Sequence, residues 1–135
     1  MSELQNKSTI LQASAQELHN KCYYPPVAHC AYYSCYQMMK HIWLYTMNKS
    51  QRDLDSLCNN SRMGSHEVLI NEIGSYIKRS NKKDANIDSR DFNNKITQLK
   101  RLRTTADYDD AVFDISKSVN SLSLSSDIVP ILKKH

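Results

Sequence analysis

Three residues near the middle of the second half of this chain, Arg103, Asp107 and Tyr108, have types and spacing that could do chemistry. Phe92, Ile96 and Leu99 follow i, i+4, i+7, which puts them on one apolar helical stripe. The next position on that stripe is Arg103. A guanidinium keeps its charge, so at a place where the pattern calls for leucine it must meet a carboxylate, a phosphate or water. Asp107 stands one turn on, at the i,i+4 distance of an ion-pair partner, and Tyr108 adds a phenol at the helix end. Two readings compete. Arg103 and Asp107 are a structural pair capping a core, or Arg103 and Tyr108 line a cleft that receives phosphate.

The charge around this helix gives the second reading a surface. Residues 1–77 carry six basic and six acidic side chains, whereas 78–103 carry nine basic against three acidic. The whole net charge of +4 therefore sits on one loop and the helix after it. Lys78, Arg79, Lys95, Lys100 and Arg101 are the candidate contacts for a polyanion such as RNA. The competing reading of such a run is a solvated face.

The elements that must position these residues read as helices. A chain of 135 residues is long enough for one core and too short for two, so a single domain is expected over 1–135. Two glycines and three prolines supply little of the turn chemistry that hairpins need, and no Gly-rich phosphate loop can be written. A first helix runs from residue 3 to about 20, and Tyr24-Pro25-Pro26 breaks it. The second, about 25–48, carries two stripes: Val27, Ala31, Cys35, Met38, Ile42 and Tyr45, then Tyr32, Tyr36, Met39, Trp43 and Met47. A helix apolar on that much of its circumference is central or shared with a second subunit, which predicts a homodimer. His29 and His41 on it read as packing residues.

Residues 48–64 read as a polar loop with a short helical piece near Leu54–Leu57. Ser65 reads as the N-cap of a third helix, with Glu67 in its first turn. The fourth helix starts at Asp88 or Ser89 and ends near Asp107. A fifth starts around Asp109 with Ala111, Ile115, Val119 and Leu122 on its inner face. The core is expected over about 8–122. Beyond it, the serines of 121–126 weaken the helix, Pro130 interrupts it, and the Lys-rich end frays. The fold class is all-α, an antiparallel up-and-down bundle of four to five helices.

Other chemistries find less footing. His19, Cys22, His29 and Cys30 lie close in sequence, but no C-x-x-C exists and the Tyr-Pro-Pro break separates the pairs, so no metal and no cofactor is expected. No cysteine has an evident base beside it, and the four thiols read as reduced. No run approaches eighteen apolar residues, so the expectation is a soluble, cytoplasmic protein without a membrane partner.

Three landmarks carry a resemblance: Ala31-Tyr32-Tyr33 in the long second helix, Ser65-His66-Glu67-Val68 opening the third, and Arg103-Thr104-Thr105-Ala106-Asp107-Tyr108 closing the fourth. Over roughly residues 8–122 the chain resembles the HEPN superfamily (higher eukaryotes and prokaryotes nucleotide-binding), in particular its small stand-alone prokaryotic branch. The resemblance implies an antiparallel helical bundle that dimerises, with paired motifs meeting in a cleft at the two-fold axis. It also implies metal-independent RNA cleavage in a toxin or phage-defence effector, beside an antitoxin or nucleotidyltransferase partner. Ribonuclease members carry an Arg, a polar residue, spacers and a His on the fourth helix. This chain has Thr104 after Arg103 and no His within that reach. The alternative is therefore a non-catalytic module binding nucleotide, RNA or a partner protein.

Cleavage without metal has the neighbouring 2′-hydroxyl attack phosphorus, which needs a proton acceptor, a proton donor and positive charge on the phosphorane. Under the resemblance Arg103 supplies the charge, Tyr108 gives or orients a proton, and Asp107 holds Arg103. His66, at the start of a helix, titrates in the useful range.

Overall fold

The computed structural model describes residues 2–135, and all its regular structure is helical. Six α-helices are found among the described residues: α1 (Glu3–Asn20), α2 (Pro25–His41), α3 (Gln51–Ser61), α4 (Ser65–Arg79), α5 (Ala85–Tyr108) and α6 (Ile115–Lys134). This is one more than the sequence suggested.

The extra helix is α3. Its apolar stripe is short, Leu54 with Leu57 and Cys58, and of these only Leu54 is buried. It is started by a capping box in which Ser50 Oγ accepts from the Asp53 backbone and the Asp53 carboxylate accepts from Ser50 N–H. Likewise α1 begins at a Ser2–Gln5 capping box. By contrast Gly64, not Ser65, occupies the cap of α4 and makes no side-chain bond there.

The second helix is the centre of the core. Val27, Ala28, Ala31, Tyr32, Cys35 and Met39 have no exposed surface. It packs against α1, α5 and α6 along its length and touches α4. The apolar circumference that suggested a shared helix is thus covered within one chain. Its continuation, Ile42–Thr46, is a single π-helical turn closed by Met47 N–H to Ile42 O at 2.8 Å. Widening the turn by one residue rotates the side chains beyond it. Ile42 and Trp43 stay buried, while Tyr45, expected on the inner stripe, swings out to solvent. Trp43 Nε1 then donates to Ser50 O at 2.9 Å and ties the π turn to the start of α3.

The C-terminal expectation is overturned. Residues beyond 122 do not fray. They continue α6 to Lys134 and contribute Leu124, Ile128, Val129 and Leu132 to the core. Pro130 lies inside the helix on its exposed side, where the carbonyl it leaves unbonded can meet water, and buried neighbours hold the turn. The helix also starts later than expected, capped by Asp114, whose carboxylate accepts from Lys117 N–H. Its buried face is Ser118, Ser121, Ser125 and the apolar residues after them, while Ile115 and Val119 are exposed. Serine can sit there because its hydroxyl bonds back to the helix: Ser121 Oγ donates to Lys117 O at 2.8 Å and Ser125 Oγ to Leu122 O at 3.1 Å. No helix among the described residues is long and apolar enough to cross a membrane.

Candidate functional site

The arginine-bearing motif lands at the end of α5, and α5 extends two residues past Ala106 to include Asp107 and Tyr108. Leu99, Ile96 and Phe92 are fully buried, as the stripe requires. Arg103, the next position, is nearly so, with 16% of its side chain exposed. Its Nε lies 3.0 Å from Asp107 Oδ2, yet the N–H is not aimed at that oxygen, so Nε is buried without a hydrogen-bond partner. Aromatic faces surround the rest. The guanidinium carbon is 5.2 Å from the centre of the Tyr33 ring, 5.5 Å from Tyr108 and 5.9 Å from Tyr32. Rings stabilise a cation without accepting its N–H hydrogens along lone pairs. The group is therefore held in place while its donors stay undersubscribed.

The rings come from α2, at i and i+1 and then i+4: Tyr32, Tyr33 and Tyr36. They also reach α4. Tyr32 Oη and His66 Nδ1 are 2.8 Å apart, and His66 stacks on Tyr36 with centroids 4.3 Å apart and planes tilted 22°. So His66 is brought to the cluster, and both it and Arg103 lie against the Tyr32 ring. Burial, then the positive charges of Lys100 and Arg103, push the His66 imidazole below its ordinary pKa. At neutral pH it is uncharged. Its Nε2 makes no hydrogen bond among the described residues. Burial raises the Tyr32 phenol well above its ordinary range and the Tyr36 phenol above it, so both keep their protons. With hydrogen on Nδ1 the Tyr32 oxygen accepts and Nε2 presents a lone pair. With the phenol donating, Nε2 carries the hydrogen instead.

Asp107 has a second partner that the sequence did not reveal. His29 Nδ1 lies 3.0 Å from the same Oδ2 atom, and the His29 ring packs at 4.7 Å from Tyr33. His29 is exposed rather than a packing residue. The only signal for it was its position one turn before Tyr33 on the tyrosine-bearing flank of α2. Tyr108 is 71% exposed, at the mouth of the cluster. Cys30 is beside Asp107, and burial first and that carboxylate second raise its thiol, which favours the protonated form.

The residues suggested for RNA binding divide. Lys95 is tied across to α6 by Asp127 at 3.0 Å. Lys78, Arg79, Lys100 and Arg101 form no ion pair among the described residues. Of the Cys/His run weighed for metal, His19 meets Ser118 Oγ at 2.7 Å on α6, and His29 faces Asp107. No group of three or more His, Cys, Asp or Glu positioned to hold a metal ion occurs among the described residues, and the four cysteines are free thiols.

What the arrangement can do is set by its parts: a fixed cation whose Nε lacks a hydrogen bond, a half-buried imidazole and an exposed phenol. No family model, no curated protein and no solved structure matches the chain.

Proposed function

We propose that this chain is a metal-independent endoribonuclease of the HEPN type, acting as a toxin or phage-defence effector. The observation that carries the reading is the convergence of His66 and Arg103 on Tyr32, with Arg103 Nε lacking a hydrogen bond. Ribonucleases of this type carry their histidine on the helix of the arginine. Here α5 has none, and α4 and α2 contribute His66 and His29 to the same cluster instead.

In the proposed reaction Arg103 lies against the scissile phosphate. Neutral His66 takes the proton of the 2′-hydroxyl, whose oxygen attacks phosphorus. The bond to the 5′-oxygen breaks, and Tyr108 gives that oxygen a proton. The products are a 2′,3′-cyclic phosphate and a 5′-hydroxyl end. Asp107 and His29 position Arg103, and the rings of Tyr32 and Tyr33 fix its plane. Charge developing on the phosphorane strengthens the guanidinium contact in the transition state, which is where stabilisation accelerates the reaction.

The proposal includes a two-fold dimer that brings two Arg103 clusters together. Support comes from exposed apolar side chains next to the cluster: Tyr108, Val112, and the one-turn pair Ile115 and Val119. Light scattering that shows a monomer at tens of micromolar overturns that part.

One observation favours the non-catalytic alternative: Arg103 already has a carboxylate beside it at 3.0 Å. In that case the cluster serves to bind nucleotide, RNA or a partner such as an antitoxin or nucleotidyltransferase. Incubation with total RNA and tRNA in EDTA separates the two. The ribonuclease reading expects cyclic-phosphate ends from the wild type and none from Arg103→Ala. Intact RNA in both leaves the binding module.

A further inference from the structure

A long polar hollow lies between α4 and α5, away from the rings. It consists of two adjoining parts, about 600 and about 410 Å³, which share Lys78, Ser89 and Asn93. Its character is set by four carboxamides, Asn71, Asn86, Asn93 and Asn94, with Lys78 and Arg90 on the walls. No carboxylate lines either part. Of the nearest acids, two are engaged or turned away, and the third, Glu67, makes no ion pair among the described residues and stands outside the hollow at its His66 end. Asp88 is bound to Lys134 and His135, Asp91 falls on the opposite flank of α5 at helical spacing, and Glu67 precedes Asn71 by one turn at the far end of α4.

The floor of the hollow is built rather than accidental. At Gly74 a Cβ would sit 2.5 Å from Asn93 Oδ1 and 3.0 Å from its Nδ2, so the carboxamide lies over bare backbone. Ser89 Oγ, buried, donates to Gly74 O at 2.8 Å and locks the two helices there.

The hollow also points somewhere. On α5, Asn86, Arg90, Asn93, Thr97 and Lys100 follow one another at alternating spacings of four and three; Thr104 is the next step, and Arg103 lies beside the end of the row on the adjoining Phe92–Ile96–Leu99 stripe. On α4, Lys78, Gly74, Ile70 and His66 are each one turn apart. Because α4 and α5 run in opposite directions, both rows lead from the Lys78–Arg90 end to the His66–Arg103 end.

We propose that this groove is the track for single-stranded RNA entering the Arg103 cluster. This rests on the reading of that cluster as an RNA site. Lys78, Arg90 and Lys100 neutralise phosphates along the strand. The carboxamides, which both donate and accept, bond to the edges of unpaired bases. An acidic peptide would call for the cations but leave four carboxamides unused. In a duplex the base edges are engaged or recessed, which favours the single strand. From Asn86 to Arg103 the track is about 25 Å long at the helical rise. That length suits a site of about four to six nucleotides.

The test is binding, read by fluorescence anisotropy with a short labelled RNA whose 2′-hydroxyls are replaced by fluorine, so that cleavage cannot occur. Lys78→Glu with Arg90→Glu should weaken binding about tenfold or more and make the salt dependence shallower by about one to two in log–log slope. Lys7→Glu with Lys21→Glu, on α1 and its end, should leave both unchanged. A second variant, Asn86→Asp with Asn94→Asp, alters only exposed side chains of the groove and should weaken binding with the melting temperature kept. Unchanged affinity in both groove variants, or tighter binding of the same sequence as a duplex, overturns the proposal. If the wild type cuts no RNA yet the groove variants still lose binding, the ribonuclease reading fails and the track stands.

Discussion

Asp88 and Asp107 stand toward opposite ends of α5, and each carries a cation and a histidine. Around Asp88 every partner is matched. Its Oδ2 accepts from Lys134 Nζ at 2.8 Å and His135 Nε2 at 2.9 Å, and His135 Nδ1 meets Ser80 Oγ at 2.9 Å. The His135 side chain is wholly buried. The cluster fastens the end of α6 to α4 and α5, and the bonds from Lys134 and then His135 hold the Asp88 carboxyl below its usual range. Around Asp107 the matching is incomplete. Arg103 Nε has no directed bond, and His29 and Tyr108 face solvent. A cluster whose donors and acceptors are all used is a fastening. One that keeps a buried donor unused beside open surface has capacity left for a ligand.

The largest expected effect that would break this contrast is at Arg103. Arg103→Ala should lower the cleavage rate by about a hundredfold or more, the usual consequence of removing one donor that stabilises transition-state charge. Its melting temperature should fall less than that of Asp88→Asn, because Asp107 keeps His29. Cleavage assays and thermal melts on the same preparations check both. A variant that melts far lower while its folded fraction stays fully active would make Arg103 a fastening too.

Next in size is the fastening itself. Asp88→Asn removes the negative charge that holds Lys134 and the buried His135 and should lower the melting temperature by about 5 °C. The rate per folded molecule should not change.

Acid separates the clusters further. Asp88 has a lowered folded pKa, so its stabilisation is present above the ordinary carboxylate value of 3.8 and is lost as pH falls through the folded value. His66 is also lowered, from 6.5, so the stability gained by keeping it neutral is present above that pH and declines as pH falls below it. Melting temperature against pH should therefore drop in two stages. Asp88→Asn should shrink the lower stage, which Asp53 shares, and His66→Asn the upper, which His41 shares. A single stage unaffected by His66→Asn would place the imidazole in an ordinary solvated environment.

The smallest effect is at Lys100. Lys100→Gln removes a like charge from the surroundings of His66 and should move its pKa up toward 6.5, measurable by NMR titration.

Much of this was legible in the sequence, and the gaps have physical causes. The stripe Phe92–Ile96–Leu99–Arg103 and the Asp107 partner were readable because helical spacing alone dictates them. His66 was singled out by its place at a helix start. Its approach to Arg103 was not readable, since it depends on Tyr32 lying between two helices that pack on α2. His29 was missed because an exposed histidine has no periodic signature. On α6 the apolar pattern misled: Ser121 and Ser125 bond back to their own helix and Ser118 to His19, so they need no apolar character to be buried. Ile115 and Val119 drew attention to the wrong face. The capping box at Ser50 and Asp53 was present in the letters and extends the short helical piece at Leu54–Leu57 to the whole of α3.

The stacking of His66 has a consequence for how the molecule can be observed. Its ring lies 4.3 Å from Tyr36 and nearly parallel to Tyr32, tilted by 11° at 5.7 Å. Circulating π electrons in those two phenols shield nuclei above their faces. The imidazole carbon-bound protons of His66 should therefore resonate upfield of those of the other four histidines, so one residue can be followed without isotopic labelling of the rest. Anything that slides between the rings, or levers α4 from α2, dims that shielding. The resonance thus reports on the occupancy of the cluster directly, whether or not any bond is cut there.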